Sequence, residues 1–431
     1  MKTAFVLGGY GLIGARCVRA LKGAGFRVVG VGRSMTAGRR SDPGIDWIAC
    51  NIARAEASDW ARDLRGADVV VNAAGALQDG LRDDLTGIHE TAIAQLVKGL
   101  AGSRARIIQI SAARARVDAP TEFLRSKARG DALLMGSSCD WVVLRPVLAI
   151  GAEAYGGTAL LRALAAFPLI EPRTLPEARI QTVTVDDIAA AVVVAATGAI
   201  ASRTLADLTE DGGQSLSELT RAIRAWQGFA PWRASIPVPR ALLRAVGLGA
   251  DALGWLGWRA PLRSAALRTL RDGVTGDPGP WLAAGGAPMR SLAEMLAALP
   301  ATMQERWFAR MFLLLPLAVG GLAAFWTLSG AIGLARVDAA AAVLTDRGFA
   351  DGMARALVIG GSFADLALGV AVLVRPWARG ACLGMVALSL GYMGGAAIWA
   401  PDLWVDPLGP MVKVAPGILA ALLTAAMLED R

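Results

Sequence analysis

The sequence predicts two unlike parts: an α/β body built on a doubly wound parallel sheet, then an all-α bundle of four membrane-spanning helices. Three observations carry that prediction. From Thr3 onward, short runs rich in Val and Ile alternate with amphipathic helical stretches, as in a parallel sheet with helices on both faces. Glycines 8, 11 and 14 follow the first run and open the first helix. Finally, 55% of residues are hydrophobic, only 19% are charged, and the excess of apolar residues lies after Arg306.

The expected strands are 3–7 (TAFVL), 27–31 (RVVGV), 46–50 (DWIAC), 68–72 (DVVVN), 106–110 (RIIQI) and 140–144 (DWVVL), with helices such as 12–23 and 87–101 between them. Beyond Arg145 the alternation loosens, and 181–195 (QTVTVDDIAAAVVVA) reads as a strand entering a helix. Residues 227–300 are rich in Trp, Gly and Pro. Within them, 236–259 has two readings: core of a second lobe, or a helix lying on the membrane surface with its arginines toward headgroups. The expected domains are 1–225, a second lobe with a membrane-proximal connector at 226–305, and the bundle at 306–431.

Each expected span, at 312–334, 356–374, 380–400 and 407–428, comes close to the roughly 20 helical residues that cross a bilayer. Trp307, Trp326, Trp377, Trp399 and Trp404 sit mostly near span ends, where amphipathic rings prefer the interface. With four spans the termini share a side. Arg306, Arg310, Arg375, Arg379 and Arg431 then face Arg336, Arg347 and Arg355 across the membrane. That bias puts the N-terminal body and both termini in the cytoplasm of an inner-membrane protein. The start, MKTAFVLGG, is not read as a signal peptide, because glycines break the apolar run and Arg16, Arg19 and Lys22 follow at helical spacing.

The net charge of +8 comes from arginine, since only five of the 44 basic residues are lysine. It reads first as scattered solvated side chains and second as attraction toward an anionic membrane. No dense basic run interleaved with aromatics points to nucleic acid. Cys17, Cys50, Cys139 and Cys382 form no close pair, three of them being expected inside helices or strands and one inside a span. With the single His89 they suggest neither a disulfide framework nor a metal site.

The glycine spacing carries the chemistry. In GGYGLIG, Gly8 lets the chain turn out of the strand, Gly11 admits a pyrophosphate to the backbone amides, and Gly14 lets the helix pack on the sheet. The helix N-terminus offers free N–H groups and a positive dipole end to phosphates. Tyr10, Leu12 and Ile13 lie in the same loop and first turn. An NAD site usually has an acid at the end of the second strand. Here VVGVGRSMTAGRRS (28–41) has none, and Arg33 with Ser34 stands there, matched to a 2′-phosphate. The expected cofactor is NADP(H) in preference to NAD(H).

With NAAG (72–75), QIS (109–111), LRPVLAIG (144–151) and VTVDDIA (183–189), the chain resembles the short-chain dehydrogenase/reductase (SDR) superfamily. The likeness is to its extended and atypical members, especially the NmrA-like group and the Rossmann-type accessory subunit of respiratory complex I. The C-terminal spans resemble a DoxX-like membrane domain by layout. The resemblance implies a Rossmann-type doubly wound sheet with a small substrate lobe. It also implies that Asn51 contacts adenine, where relatives mostly have Asp; that Ala73, Ala74 and Gly75 run along the cofactor; and that Ser111 and Pro146 lie by the nicotinamide. Partners, on the same footing, would belong to the respiratory membrane. One departure stands out. Carbonyl-reducing members use Tyr-x-x-x-Lys, with the phenol as proton donor and the lysine on the ribose. TEFLRSKARGD (121–131) keeps Lys127 but has Phe123 in the tyrosine's place. Ser111 and Lys127 remain the candidate catalytic groups. Tyr155 is an alternative phenol from the substrate side, and His89 reads as a mid-helix residue with a simple surface or core role.

An ionisable group in a span is a functional candidate. Asp365 lies near the middle of the second span and Lys413 about a turn inside the fourth, where pairing or snorkelling are both open. The functional expectation is an NAD(P)-binding oxidoreductase anchored in the membrane, acting on a lipid-soluble substrate such as a quinone or isoprenoid. The alternative is a non-catalytic assembly or redox-sensing protein. A sugar-nucleotide epimerase is weaker, because that chemistry also leans on the absent tyrosine.

Overall fold

The computed structural model of the chain describes residues 1–76, 84–258 and 262–428. Arg259 and Arg431 lie outside them. The chain forms two compact units. One comprises Met1–Asp251 with Pro261–Arg306, the other Ala252–Ala260 with Trp307–Arg431.

In the first unit, strands β1 (Thr3–Leu7), β2 (Arg27–Gly32), β3 (Asp46–Ala49), β4 (Val69–Asn72), β5 (Arg106–Ile110) and β6 (Asp140–Pro146) form as the β-branched runs require. A seventh strand, Thr204–Leu208, was not expected. It extends the sheet beyond β6 and pairs with it in parallel. The order across the sheet is Thr204–Leu208, β6, β5, β4, β1, β2, β3. The chain reverses direction across the sheet between β1 and β4, which puts the ligand crevice at their carboxyl ends.

Alternate residues of each strand feed opposite cores. On one face Val6, Val28, Val71 and Ile108 pack with Cys17, Val18 and Leu21 of α1 (Leu12–Gly23) and with Ile188 and Val192 of α7 (Val185–Thr197). On the other, Phe5, Val29, Val70 and Ile107 meet three helices. These are α3 (Ala57–Asp63), through Trp60; α4 (Ala92–Gly99), through Ile93 and Leu96; and α5 (Glu122–Met135), through Leu134. Helix α2 (Met35–Ser41) follows β2, and α6 (Gly156–Ala165) follows β6. The expected single helix at 87–101 instead opens with a π-helical turn, Gly87–Thr91, before α4. A smaller cluster around Ile180, Leu219 and Leu161 forms a further core of this unit. It is built on α6 and α8 (Leu216–Trp226), followed by α9 (Arg240–Trp255), α10 (Ser264–Arg271), α11 (Gly279–Ala283) and α12 (Leu292–Ala298).

The second unit is all helical: α13 (Met303–Ala335, which begins in the first unit), α14 (Val337–Thr345), α15 (Asp351–Ala371), α16 (Arg375–Trp399) and α17 (Val414–Met427). Among the described residues three helices, α13, α15 and α16, are long and apolar enough to cross a membrane. The expected fourth span begins later than predicted, because turns occupy the residues before Val414 and leave a 14-residue helix. Lys413 is therefore corrected from the inside of a span to the exposed residue at the helix start. All four cysteines are free. Cys50 and Cys139 fall just outside strands β3 and β6 rather than within regular elements.

Candidate functional site

The loop after β1 is shaped by what its glycines exclude. Gly8 has φ +71°, and a Cβ there would fall 2.8 Å from the Ala74 Cα. A left-handed turn pressed against the end of β4 leaves only glycine. A Cβ on Gly14 would fall 2.1 Å from the Gly8 carbonyl oxygen, so α1 can sit on the loop only without one. Gly11 precedes α1 and donates its N–H to the Gly8 carbonyl at 2.9 Å. The amides of Leu12, Ile13 and Gly14 come before the helix's own hydrogen-bond ladder begins and form the positive end of its dipole. A concave strip of backbone donors without side chains, at the crevice between β1 and β4, fits a dinucleotide diphosphate.

The rim continues through Tyr10. Its ring fills the space over Gly32, where a Cβ would come within 2.3 Å of it. The Tyr10 hydroxyl accepts the Ser34 amide at 3.2 Å, and Ser34 Oγ caps α2 by accepting the Ala37 amide at 3.2 Å. Arg33 is exposed beside them. Asn51 is exposed, with its side-chain oxygen accepting the Ala53 amide. Ala73 is held to Leu7 by its amide, and Ala74 to the Asn72 side chain. Pro146 ends β6, and its carbonyl accepts the Ala113 amide at 3.0 Å.

Behind this rim lies a buried polar group. Lys127 is 5% exposed, and its Nζ donates to the Ile110 carbonyl at 3.0 Å. Burial lowers its pKa to about 8, against a smaller upward pull from Asp131. Gly75 passes so close that a Cβ on it would stand 3.3 Å from that Nζ. Ser111 Oγ donates to Asp131 Oδ2 at 2.7 Å, and Arg145 donates to the same oxygen at 2.8 and 3.0 Å. Asp131 is fully buried, and among the described residues its Oδ1 has no hydrogen-bond partner. Burial raises its pKa, although Arg145 pulls the other way. Asp131 and Arg145 were missed from the sequence. The available signal was that Asp131 lies four residues after Lys127, on the same helix face.

Of the surface and core roles open to it, His89 takes the core one. It sits in the π-helical turn, 2% exposed, with Nδ1 at 2.9 Å from Ser126 Oγ, and Nε2 accepts the Ala76 amide at 3.3 Å. Since Nε2 accepts, Nδ1 carries the proton and donates to Ser126, which in turn donates to the Phe123 carbonyl at 3.1 Å. Burial, then the charge of Lys127, lowers its pKa to about 2, so it is neutral at physiological pH. The Phe123 ring stands edge-on to it at 5.8 Å. Tyr155 is 53% exposed at the start of α6. The expected intramembrane residues lie in the other unit. Asp365 is buried and accepts from Ser329 Oγ at 2.8 Å and from the Tyr392 hydroxyl at 2.9 Å. Its carboxylate is satisfied by those hydroxyls, and no ion pair with Lys413 is present among the described residues.

These features define a class: a Rossmann-type domain with a nucleotide cradle, joined to a helical region whose three long helices are apolar enough to cross a membrane. Residues 8–193 match the NAD(P)H-binding family, and residues 323–423 match the DoxX-like family. No curated protein matches the chain. Solved structures share the fold of the N-terminal part. The enzyme WbmH of Bordetella bronchiseptica in complex with NAD+ is 18% identical, covering 69% of this chain and 97% of that one with a TM-score of 0.52. The UDP-glucose 4-epimerase of Thermotoga maritima with UDP-glucose is 15% identical, covering 72% and 99%, TM-score 0.52. The terminal R domain of the myxalamid PKS-NRPS pathway is 16% identical, covering 73% and 90%, TM-score 0.52.

Proposed function

We propose that the chain is a membrane-anchored NAD(P)-dependent oxidoreductase of atypical SDR type that passes hydride to a lipid-soluble acceptor of quinone or isoprenoid kind. The observation that carries this reading is the side-chain-free cradle beside a buried Lys127, with Phe123 where a phenol would stand. The bound nicotinamide supplies the hydride. Lys127 Nζ, held on the Ile110 carbonyl, is suited to bind the ribose hydroxyls, and Ser111, fixed by Asp131, to orient the ring's surroundings. Neither replaces the missing phenolic acid, which favours an acceptor that needs none at this position. Arg33 and Ser34, with no acid at the end of β2, support NADP(H) over NAD(H).

In this reading residues 1–225 bind the dinucleotide, 226–305 form the substrate lobe and connector, and 306–431 hold the protein in a cytoplasmic membrane by four spans. The fourth span is supported by the ties at the two ends of the bundle. Arg375, at the start of α16, donates to the Leu428 carbonyl just past α17, while Arg347 and Asp402 pair between the loops at the other end. Arg355 is also paired, with Asp338 and Asp351. What bears on orientation is the arginine count, three at that end (Arg336, Arg347 and Arg355) against five at the other, which supports a cytoplasmic Rossmann domain. Tethering keeps the domain at high effective concentration near lipid substrates.

Phe123 also favours a second reading, a dinucleotide-holding assembly or sensing protein without turnover. Purified full-length protein in lipid nanodiscs with NADPH and a short-chain quinone separates the two. Steady cofactor oxidation supports the enzyme, whereas thermal stabilisation by NADPH without oxidation supports the binder.

A further inference from the structure

Helix α9 is held on one side only. Gly247 and Ala250 are its buried residues. The bare Gly247 lets Ser264 and Leu267 of α10 approach, and Asp251 accepts from the Arg263 side chain and the Ser264 amide at 3.3 Å. Among the described residues nothing covers the opposite side. Leu242, Val246 and Leu253 recur there at helical spacing and are exposed. Leu248 and Trp255, at 67% and 86% exposure, mark the other edge of the same exposed arc, with Ala241, Ala245, Gly249 and Ala252 between the two edges. No charged residue interrupts that face between Ala245 and Ala250, while Arg240 and Arg244 stand exposed toward the helix start. Such a face is costly in water and calls for an occupant.

The occupant is indicated by where the helix leads. Its last turn and the residues after it belong to the membrane unit. The Leu256 carbonyl accepts the Arg375 amide at 2.9 Å, Trp258 Nε1 donates to the Leu373 carbonyl at 2.6 Å, and the Arg375 guanidinium lies 5.7 Å from the Trp258 ring. All three contacts fall on the turn between two apolar helices, where Arg375, the exposed Trp377 and Arg379 have the composition of a headgroup-level belt. We propose that α9 is an interfacial helix: the Leu242–Val246–Leu253 face, with Leu248 and Trp255, lies in the headgroup–acyl boundary of the bilayer that holds α13, α15 and α16. Arg240 and Arg244 meet anionic headgroups there. This rests on the membrane reading above and adds a second, in-plane contact with lipid. Because α10 also reaches the loop ahead of α5, with Thr269 Oγ1 at 3.5 Å from Thr121 Oγ1, the lipid contact adjoins the element carrying Phe123 and Lys127.

The test uses the full chain in vesicles of phosphatidylcholine and phosphatidylglycerol in equal parts, with Cys50→Ser removing the only native cysteine that is not buried. An environment-sensitive fluorophore is attached at Leu242→Cys, and in a separate variant at Leu390→Cys on α16. The proposal predicts that spin-labelled lipids quench most of the emission at both positions, while iodide in the aqueous phase quenches little. Quenching at Leu242→Cys by iodide and not by lipid would overturn it. Protection there from both quenchers would overturn it too, since a protein surface, such as a second copy, would then cover the face. Loss of lipid quenching at Leu242→Cys alone defeats this inference, whereas loss at Leu390→Cys as well defeats the membrane reading itself.

Discussion

Phe123 offers no proton at the position where the proposed SDR-type reading would put a tyrosine, and the surrounding groups do not supply one. Ser111 spends its hydrogen on Asp131, His89 is neutral with its proton on Ser126, and Lys127 is tied to a carbonyl. Phe123→Tyr should therefore raise turnover with a carbonyl substrate above the native level, measured as NADPH oxidation. An unchanged rate would mean that the acceptor never reaches this position. His89 gives a pH prediction. Its folded pKa, about 2, lies below the ordinary 6.5. Between those values the unfolded chain binds the extra proton, so the stability due to neutral His89 is complete above pH 6.5 and declines as pH falls. Over two pH units that is on the order of 2 kcal/mol. Thermal melts of wild type and His89→Gln should diverge less at pH 5 than at pH 7, with wild type losing the larger increment on acidification. The glycines of this site were legible in the sequence because sterics at single positions dictate them. The Ser111–Asp131–Arg145 group was not, since its members are distant in the chain and meet only after α5 packs across β6.

Among the elements, the strands were readable because each is a β-branched run flanked by turn residues. The seventh, TLADL, was missed: its apolar residues, Leu205, Ala206 and Leu208, include no β-branched one, and Asp207 sits within it. The π-helical opening of the 87–99 helix left no sequence mark, because the same residues suit an ordinary helix. In the bundle, composition revealed the apolar runs but not where the last one begins to coil. Asp365 shows what composition leaves out, namely the partners. It joins α15 to Ser329 on α13 and Tyr392 on α16, so one side chain fastens three helices. Asp365→Leu should lower the melting point in detergent, at about 1 kcal/mol for each interhelical bond lost. Asp365→Asn, which keeps an acceptor, should lose less. Equal melts for both variants and wild type would remove this fastening role.

At the level of the molecule, a body that matches the NAD(P)H-binding family and a helical region that matches the DoxX-like family share one chain. Both were legible, one from glycine spacing and the other from bulk hydropathy, because each reflects a constraint applied along the sequence. The substrate was not legible, since a pocket is defined by packing between lobes rather than by any local pattern. The claim on which the rest depends is that the loop from Gly8 to Gly14 receives the diphosphate of a nicotinamide dinucleotide. It is tested most directly by titrating NADPH and NADH into full-length protein in detergent while following its melting point, beside Gly14→Val. The wild type should gain about 2.7 kcal/mol of stability at a hundredfold excess over Kd, reached at lower NADPH than NADH. The variant should melt as one folded species with no gain from either nucleotide. A wild type that neither dinucleotide stabilises, or a Gly14→Val protein that binds as well as wild type, would contradict it.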